Sequence, residues 1–342
     1  MKPIRREDAR RPAHYRRRGP DRRPAHVRWT DPLRRAHGRT RRRLLWPWQH
    51  VRLLAALAAP AIVGVTTMRK RLGVKPALAL PLASLAPMAA IVATPSRSRV
   101  RYIAAGAAYM WLFGVSWEMP ADDTGAQRRR LRLDYPIRLD SLIGGGVPPG
   151  VRLQRALRDS RRVTLLDKAV TVIYGSWFLP HVLLGYVVLR HHEYLPRAAG
   201  RLSATYHLTV PFYWLIPTAP PWWAAEHEGR IDRDLQRVVR HVVSDVLDRK
   251  PPPPGQAPGN PWGSMPSDHI ASAAITAMAL WEVGVLYGVF GWAYVAGAGF
   301  AVVYLGEHYV TDVLAGLAIA AVVELAEPHV TPIVRRVAHT LE

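Results

Sequence analysis

Cysteine is absent from the 342 residues. That excludes disulfides and thiolate metal sites, and it leaves the redox compartment unreadable. Acidic residues are few, with 25 Asp/Glu against 47 Lys/Arg and a formal charge of +22. Phenylalanine is scarce at 5, whereas Trp and Tyr number 12 and 13. That aromatic bias suits the belts that line membrane interfaces. The basic N-terminus lacks a short apolar stretch ending in a small-residue cleavage site, so it does not read as a secretory signal.

Residues 1–43 hold 17 Lys/Arg and 4 Asp/Glu. This stretch is poor in apolar periodicity and cannot bury enough surface to offset its ordering entropy, which predicts a disordered Arg-rich tail. Its charge suits anionic lipid headgroups, and no specific nucleic acid partner is expected.

Apolar runs follow at about 53–68, 77–94, 100–118, 166–189, 204–217, 267–288, 291–307 and 309–326. Several reach the ~20 residues that cross a bilayer. Open sheet edges are not tolerated in lipid. The expected fold is therefore all-α, a polytopic integral membrane helix bundle of six to eight membrane helices. The Gly288–Gly291 region reads as the turn between two of them. The expected organisation is the tail, then additional membrane or interfacial helices with a basic loop (44–164), a catalytic membrane core (165–327) and a C-terminal tail (328–342). Between the runs, residues 231–247 carry apolar side chains at helical spacing, predicting an interfacial or bundle-packed helix. Trp222 and Trp223 read as interfacial belt residues.

Two histidines 39 positions apart stand out. His269 lies in Met-Pro-Ser-Asp-His, and His308 in Gly-Glu-His-Tyr-Val-Thr-Asp. Two membrane passes between them return His308 to the face where His269 began. Residues 119–165 and 218–266 fall on the same face by the same count. Their basic content places that face in the cytoplasm by the positive-inside rule, and outside if run 53–68 spans below a cytoplasmic tail. Asp312 follows His308 by four, a helical neighbour. A carboxylate there fixes the imidazole tautomer and makes His308 a competent nucleophile towards phosphorus. His269, at a helix start behind Pro266 and Ser267, is placed to protonate a leaving alkoxide. Free N–H groups at that helix start favour a bound phosphate, making Ser267 and Asp268 candidate substrate contacts. A metal site built from Asp268, His269, Glu307, His308 and Asp312 is an alternative reading.

Pro266-Ser267-Asp268-His269 resembles the Pro-Ser-x-His motif of the type 2 phosphatidic acid phosphatase superfamily. Gly306 to Gly316 resembles that superfamily's last motif, and the spacing between the two agrees. The resemblance implies a phosphohistidine at His308, oriented by Asp312, with His269 as the acid and neither metal nor cofactor required. Two departures matter. No Lys-x6-Arg-Pro string occurs in residues 44–342, and the Ser-Arg expected seven and six positions before the nucleophile is Ala301-Val302. Pro217-Thr-Ala-Pro-Pro-Trp-Trp223 is similar to a segment of the inositol phosphorylceramide synthase-like branch, whose members lack those arginines. Sphingomyelin synthases have a string similar to His308-Tyr309-x-x-Asp312-Val313. The resemblance spans about residues 165–327 and adds Tyr309, Asp167, Lys168 and His181 as candidate substrate contacts. Lys168 and the Arg161–Arg162 pair border the active face, where they read first as interfacial anchors and second as a replacement for the missing clamp. The implied activity is transfer of a phosphoryl or phospho-alcohol group from a phospholipid donor to a lipid or polyol hydroxyl acceptor, in a multi-pass protein of a bacterial plasma membrane. The alternatives are a lipid phosphate phosphatase using water, and a non-catalytic membrane protein with a polyanion-binding tail.

Overall fold

The computed structural model describes residues 32–95, 98–191, 194–248 and 259–340. Most of the basic tail lies outside them. From Pro32 the chain is helical, in α1 (Pro32–Thr67), where Arg, Leu and Ala are all strong helix formers. A short α2 (Arg69–Leu72) leads to α3 (Pro76–Ala93) and α4 (Arg99–Glu118). Ala79 and Ala83 of α3 pack against Leu112 and Val115 of α4, so small residues let these two helices approach closely.

A polar cap follows: a 3₁₀ turn (Met119–Asp123), α5 (Thr124–Arg129), α6 (Asp134–Ile143) and α7 (Pro149–Leu157). The core is then laid down by α8 (Leu165–Gly175), α9 (Leu179–Arg190) and α10 (Leu195–Leu215). A second cap holds α11 (Pro221–Glu226) and α12 (Val238–Leu247). The chain closes with α13 (Asp268–Val283), α14 (Val285–Tyr304) and α15 (Val310–Thr340). No strand occurs among the described residues, only isolated bridges joining Arg132, Thr218 and Gly263.

Helix α13 is the centre. It touches α14, α15, α10 and α9, and its run Ile270–Ala277 is buried. The sequence there alternates Ala and Ser/Thr with occasional Ile, giving a thin helix that neighbours can surround. The turn between α13 and α14 falls at Gly284, not at Gly288–Gly291. Those two glycines instead lie where α14 crosses α13: a Cβ on Gly288 would sit 2.8 Å from the Trp281 Cα, and one on Gly291 2.9 Å from the Ala277 Cα. They serve close packing.

The membrane reading holds, because the helices are apolar and long. By length and apolarity, three described segments can cross a bilayer: Trp48–Thr67, Pro76–Ala93 and Val285–Tyr304. The bent pair α8–α9, with a 50° break, makes a fourth if it is one span. Six to eight spans are therefore not reached on that criterion. Helix α13 has only 16 residues, and α10 and α15 carry ionic groups inside the bundle. Arg201, 1% exposed, pairs with Glu282 and Glu324 at 2.8 and 2.7 Å, and Arg197 with Glu327 at 2.9 Å. Such paired charges face protein, where they cost far less than in lipid.

Two other expectations change. The amphipathic run 231–247 is helical only from Val238; Ile231 and Leu235 are buried in the turns before it. Trp222 and Trp223 are buried rather than interfacial, packed with Trp262 and Ala219 under the cap.

Candidate active site

The starts of α8, α13 and α15 and the end of α14 meet at one end of the bundle, and both caps fold over it. Gln154 of α7 donates to the Tyr304 and Gln236 carbonyls at 2.7 and 2.9 Å, tying the two caps to the end of α14. The Trp222 N–H donates to the Gly306 carbonyl at 3.0 Å. Gly306 has φ +76, and a Cβ there would press on the Gln236 carbonyl at 3.1 Å, so this turn needs glycine. It delivers Glu307 and His308 beneath the cap.

His308 is 6% exposed and Asp312 fully buried. Nδ1 of His308 lies 3.4 Å from Asp312 Oδ2. The Ser264 hydroxyl donates to that same carboxylate oxygen in a short hydrogen bond and lies 3.5 Å from His308 Nδ1. One carboxylate and one hydroxyl thus hold the Nδ1 edge, leaving Nε2 as the edge available for chemistry. Asp312 also accepts the Tyr309 N–H at 2.9 Å, so it caps the helix that carries it. Ser267 donates its N–H to the Asp312 carbonyl at 3.0 Å, locking the first histidine's loop to the second histidine's helix.

His269 enters from the start of α13. Its ring centroid is 5.5 Å from that of His308, the planes 67° apart. One phosphoryl group can touch both rings at that separation. Tyr174 stacks on His269 at 4.8 Å and Trp177 meets it edge-on at 5.8 Å. These α8-side aromatics fix the imidazole.

The other expected contacts divide. Ser267 is buried at the N-cap of α13, yet its hydroxyl has no partner among the described residues. The same holds for the buried Tyr309 hydroxyl and for Asp312 Oδ1. These are open polar groups around the histidine pair. Asp268 accepts from Thr209 at 3.2 Å. Asp167, Lys168 and His181 find other partners. Asp167 forms a capping box with Thr164 and accepts from the Tyr304 hydroxyl at 2.6 Å. Lys168 pairs with Asp245 at 3.0 Å. His181 bonds to the Tyr206 hydroxyl at 3.0 Å and sits behind Trp177, one ring removed from His269. Glu307 takes two bonds from Arg237, at 2.8 and 3.3 Å, and that guanidinium lies 4.5 Å over the Trp222 ring. Among the described residues no three His, Asp or Glu side chains converge as a metal site.

A family model described as the PAP2 superfamily matches residues 147–326, more than half of the chain. The chain belongs to the PAP2 superfamily. It is a membrane enzyme of the phosphatase or phosphotransferase type. No curated protein and no solved structure matches it. The match begins at 147, so it takes in α7 and Gln154, ahead of the residue 165 where the motif resemblance starts.

Sequence reading missed Ser264, Arg237 and, above all, Asp140. This α6 residue is 1% exposed and accepts the Val310 and Thr311 N–H groups at 3.0 and 2.9 Å. Burial raises its carboxyl above the usual range, and those two N–H groups pull it back. It satisfies the first free donors of α15 and complements that helix's dipole. Replacing Asp140 by Ala orphans two N–H groups at the base of the site. We expect a loss of about 1–3 kcal/mol and a lower kcat, as the His308–Asp312 segment loosens. Thermal unfolding in detergent alongside kinetics checks this; an unchanged melting point would remove Asp140 from the site's support.

Proposed function

We propose that this PAP2 enzyme is a lipid phosphotransferase of the inositol phosphorylceramide synthase-like kind, working through a phosphohistidine at His308. The observation that carries the reading is the His308–Asp312–His269 geometry together with what surrounds it. Ala301 and Val302 occupy the places of the phosphatase Ser-Arg pair and are 0% and 1% exposed, part of the helix packing. No basic side chain can reach the phosphate from those positions.

In the first step Nε2 of His308 attacks phosphorus. The P–N bond forms as the bond to the donor oxygen breaks, and His269 gives its proton to that oxygen. The negative charge of the arriving phosphate favours the protonated His269 that this step needs. In the second step the acceptor hydroxyl gives its proton to His269 and its oxygen takes phosphorus from His308. Asp312 stabilises the positive charge on the His308 ring throughout.

A lipid donor suits a site set at one end of a bundle whose long apolar helices can cross a bilayer. Arg237, held by Glu307, the residue before His308, is the cation we assign to part of the missing clamp's role.

Phosphatase action would use the same first step with water as acceptor. Purified enzyme given phosphatidic acid alone should release phosphate slowly. Added hydroxyl acceptors, lipid and polyol in turn, should raise donor consumption at least about tenfold, with diacylglycerol and a new phosphomonoester of the acceptor as products. Brisk phosphate release with no acceptor, and no transfer product, would establish the phosphatase instead.

A further inference from the structure

A cleft of about 290 Å³ opens between the α7–α8 connection and α12, and it contains neither His308 nor His269. Its basic lining is Arg158, Arg161 and Arg162 from the connection and His241 from α12. Three carboxylates border it, and each is already engaged. Asp159 accepts from the Arg161 N–H and from Arg162 Nε at 2.9 Å each. Asp167 is held by Thr164 and Tyr304, and Asp245 by Lys168. The Arg158 and Arg161 guanidiniums have no ion-pair partner among the described residues. The lining carries as many carboxylates as guanidiniums, and Arg158 and Arg161 are the two cations in it that no described carboxylate pairs, so they can meet an anion from outside.

The walls beside the cleft are apolar and outward-facing. Leu165 and Val172 on α8 and Val246 and Leu247 on α12 are all more than half exposed. A pocket with two unpaired guanidiniums, flanked by bare aliphatic side chains, fits a ligand with an anionic head and hydrocarbon chains. Soluble anions would use only the first feature. The cleft is joined to the catalytic end through Tyr304, whose hydroxyl bonds to Asp167 at 2.6 Å, and through the Val238 N–H, which donates to the Leu305 carbonyl at 3.3 Å.

We propose that this cleft is a second lipid site, separate from the histidine pair, that binds the phosphate headgroup of an anionic phospholipid through Arg158 and Arg161. Its acyl chains lie along the exposed faces of α8 and α12. The inference stands whichever acceptor the enzyme uses.

The test uses the full chain carrying His308→Ala, so that phosphatidic acid is not consumed. The purified protein in detergent is titrated with dihexanoyl phosphatidic acid, dihexanoyl phosphatidylcholine and inorganic phosphate, with binding followed by tryptophan fluorescence. Two binding steps are expected for phosphatidic acid. Adding Arg158→Gln and Arg161→Gln should weaken one of them about tenfold or more, since charge-assisted bonds to phosphate are lost. Arg158→Lys with Arg161→Lys should keep most of that step at an unchanged melting temperature, which separates charge from folding. Phosphatidylcholine, with no net charge, should lack it. Titration curves unaltered by the glutamine pair would overturn the site. Displacement of that step by inorganic phosphate at equal concentration would overturn the lipid assignment in favour of a free-phosphate site. Turnover measurements on His308→Ala test the catalytic reading separately, so the two can fail independently.

Discussion

Replacing His308 by alanine should lower turnover at least about 10⁴-fold, a loss of about 5 kcal/mol of transition-state stabilisation. The size follows from the position of the residue. No other described group offers phosphorus a nucleophilic nitrogen with its far edge held by a buried carboxylate. Asp312 and Ser264 would remain in place and the helix start would stay capped by Asp140, so the fold should survive. The expected signature is therefore loss of kcat with little change in melting temperature. Steady-state assay with phosphatidic acid, beside thermal unfolding, reads both. Activity within tenfold of the parent enzyme would remove His308 from the reaction.

The second large effect is expected at a residue with no functional group. Gly316 lies on α15, one turn past Asp312, where α15 crosses the start of α13. A Cβ there would stand 2.4 Å from the Ser267 carbonyl oxygen and 3.2 Å from the Ala271 nitrogen. Both neighbours are backbone and cannot swing aside, so Gly316→Ala must push the two helices apart. Overpacking of this kind costs about 1–3 kcal/mol. The functional cost should be larger, because the displaced start of α13 carries His269, and Ser267 just before it is bonded to the Asp312 carbonyl. A shift of about 1 Å at a reacting group is worth about 10²-fold in rate. We expect Gly316→Ala to lower kcat about 100-fold with a modest drop in melting temperature. Gly299→Ala on α14, whose nearest neighbour is 3.9 Å away, is the control and should be close to neutral. Equal behaviour of the two variants would show that the α13–α15 contact does not set the site.

The arrangement of the candidate site was legible because it is local. His308 and Asp312 share one helical turn, and the return of His269 to the same face follows from counting apolar residues. The helical class was legible for the same reason: long apolar runs leave no other fold. What stayed hidden depends on contacts distant in the chain. Asp140 meets Val310 and Thr311 across some 170 positions, and nothing in its own neighbourhood, Arg-Leu-Asp-Ser-Leu, marks it as a helix cap for another segment. Ser264 was closer to view, three residues before Ser267 in a motif already singled out. Glycine misled in one place, since Gly288 and Gly291 suggest a turn from sequence but are spent on helix contact. Tryptophan misled in another: the pair at 222–223 reads as an interfacial belt by composition, yet it is buried beneath a polar cap. The count of spans was not legible because apolar length says little about helices such as α10, whose arginines are neutralised by partners on α13 and α15.

A covalent intermediate at one His308 nitrogen is the centre of the proposed mechanism, and rapid acid-free quenching of enzyme mixed with ³²P-labelled phosphatidic acid tests it most directly. The prediction is protein-bound label on the peptide containing His308, stable to base and lost in acid as a phosphoramidate is, and absent from the His308→Ala protein. Full turnover with no such label at any time point would contradict it.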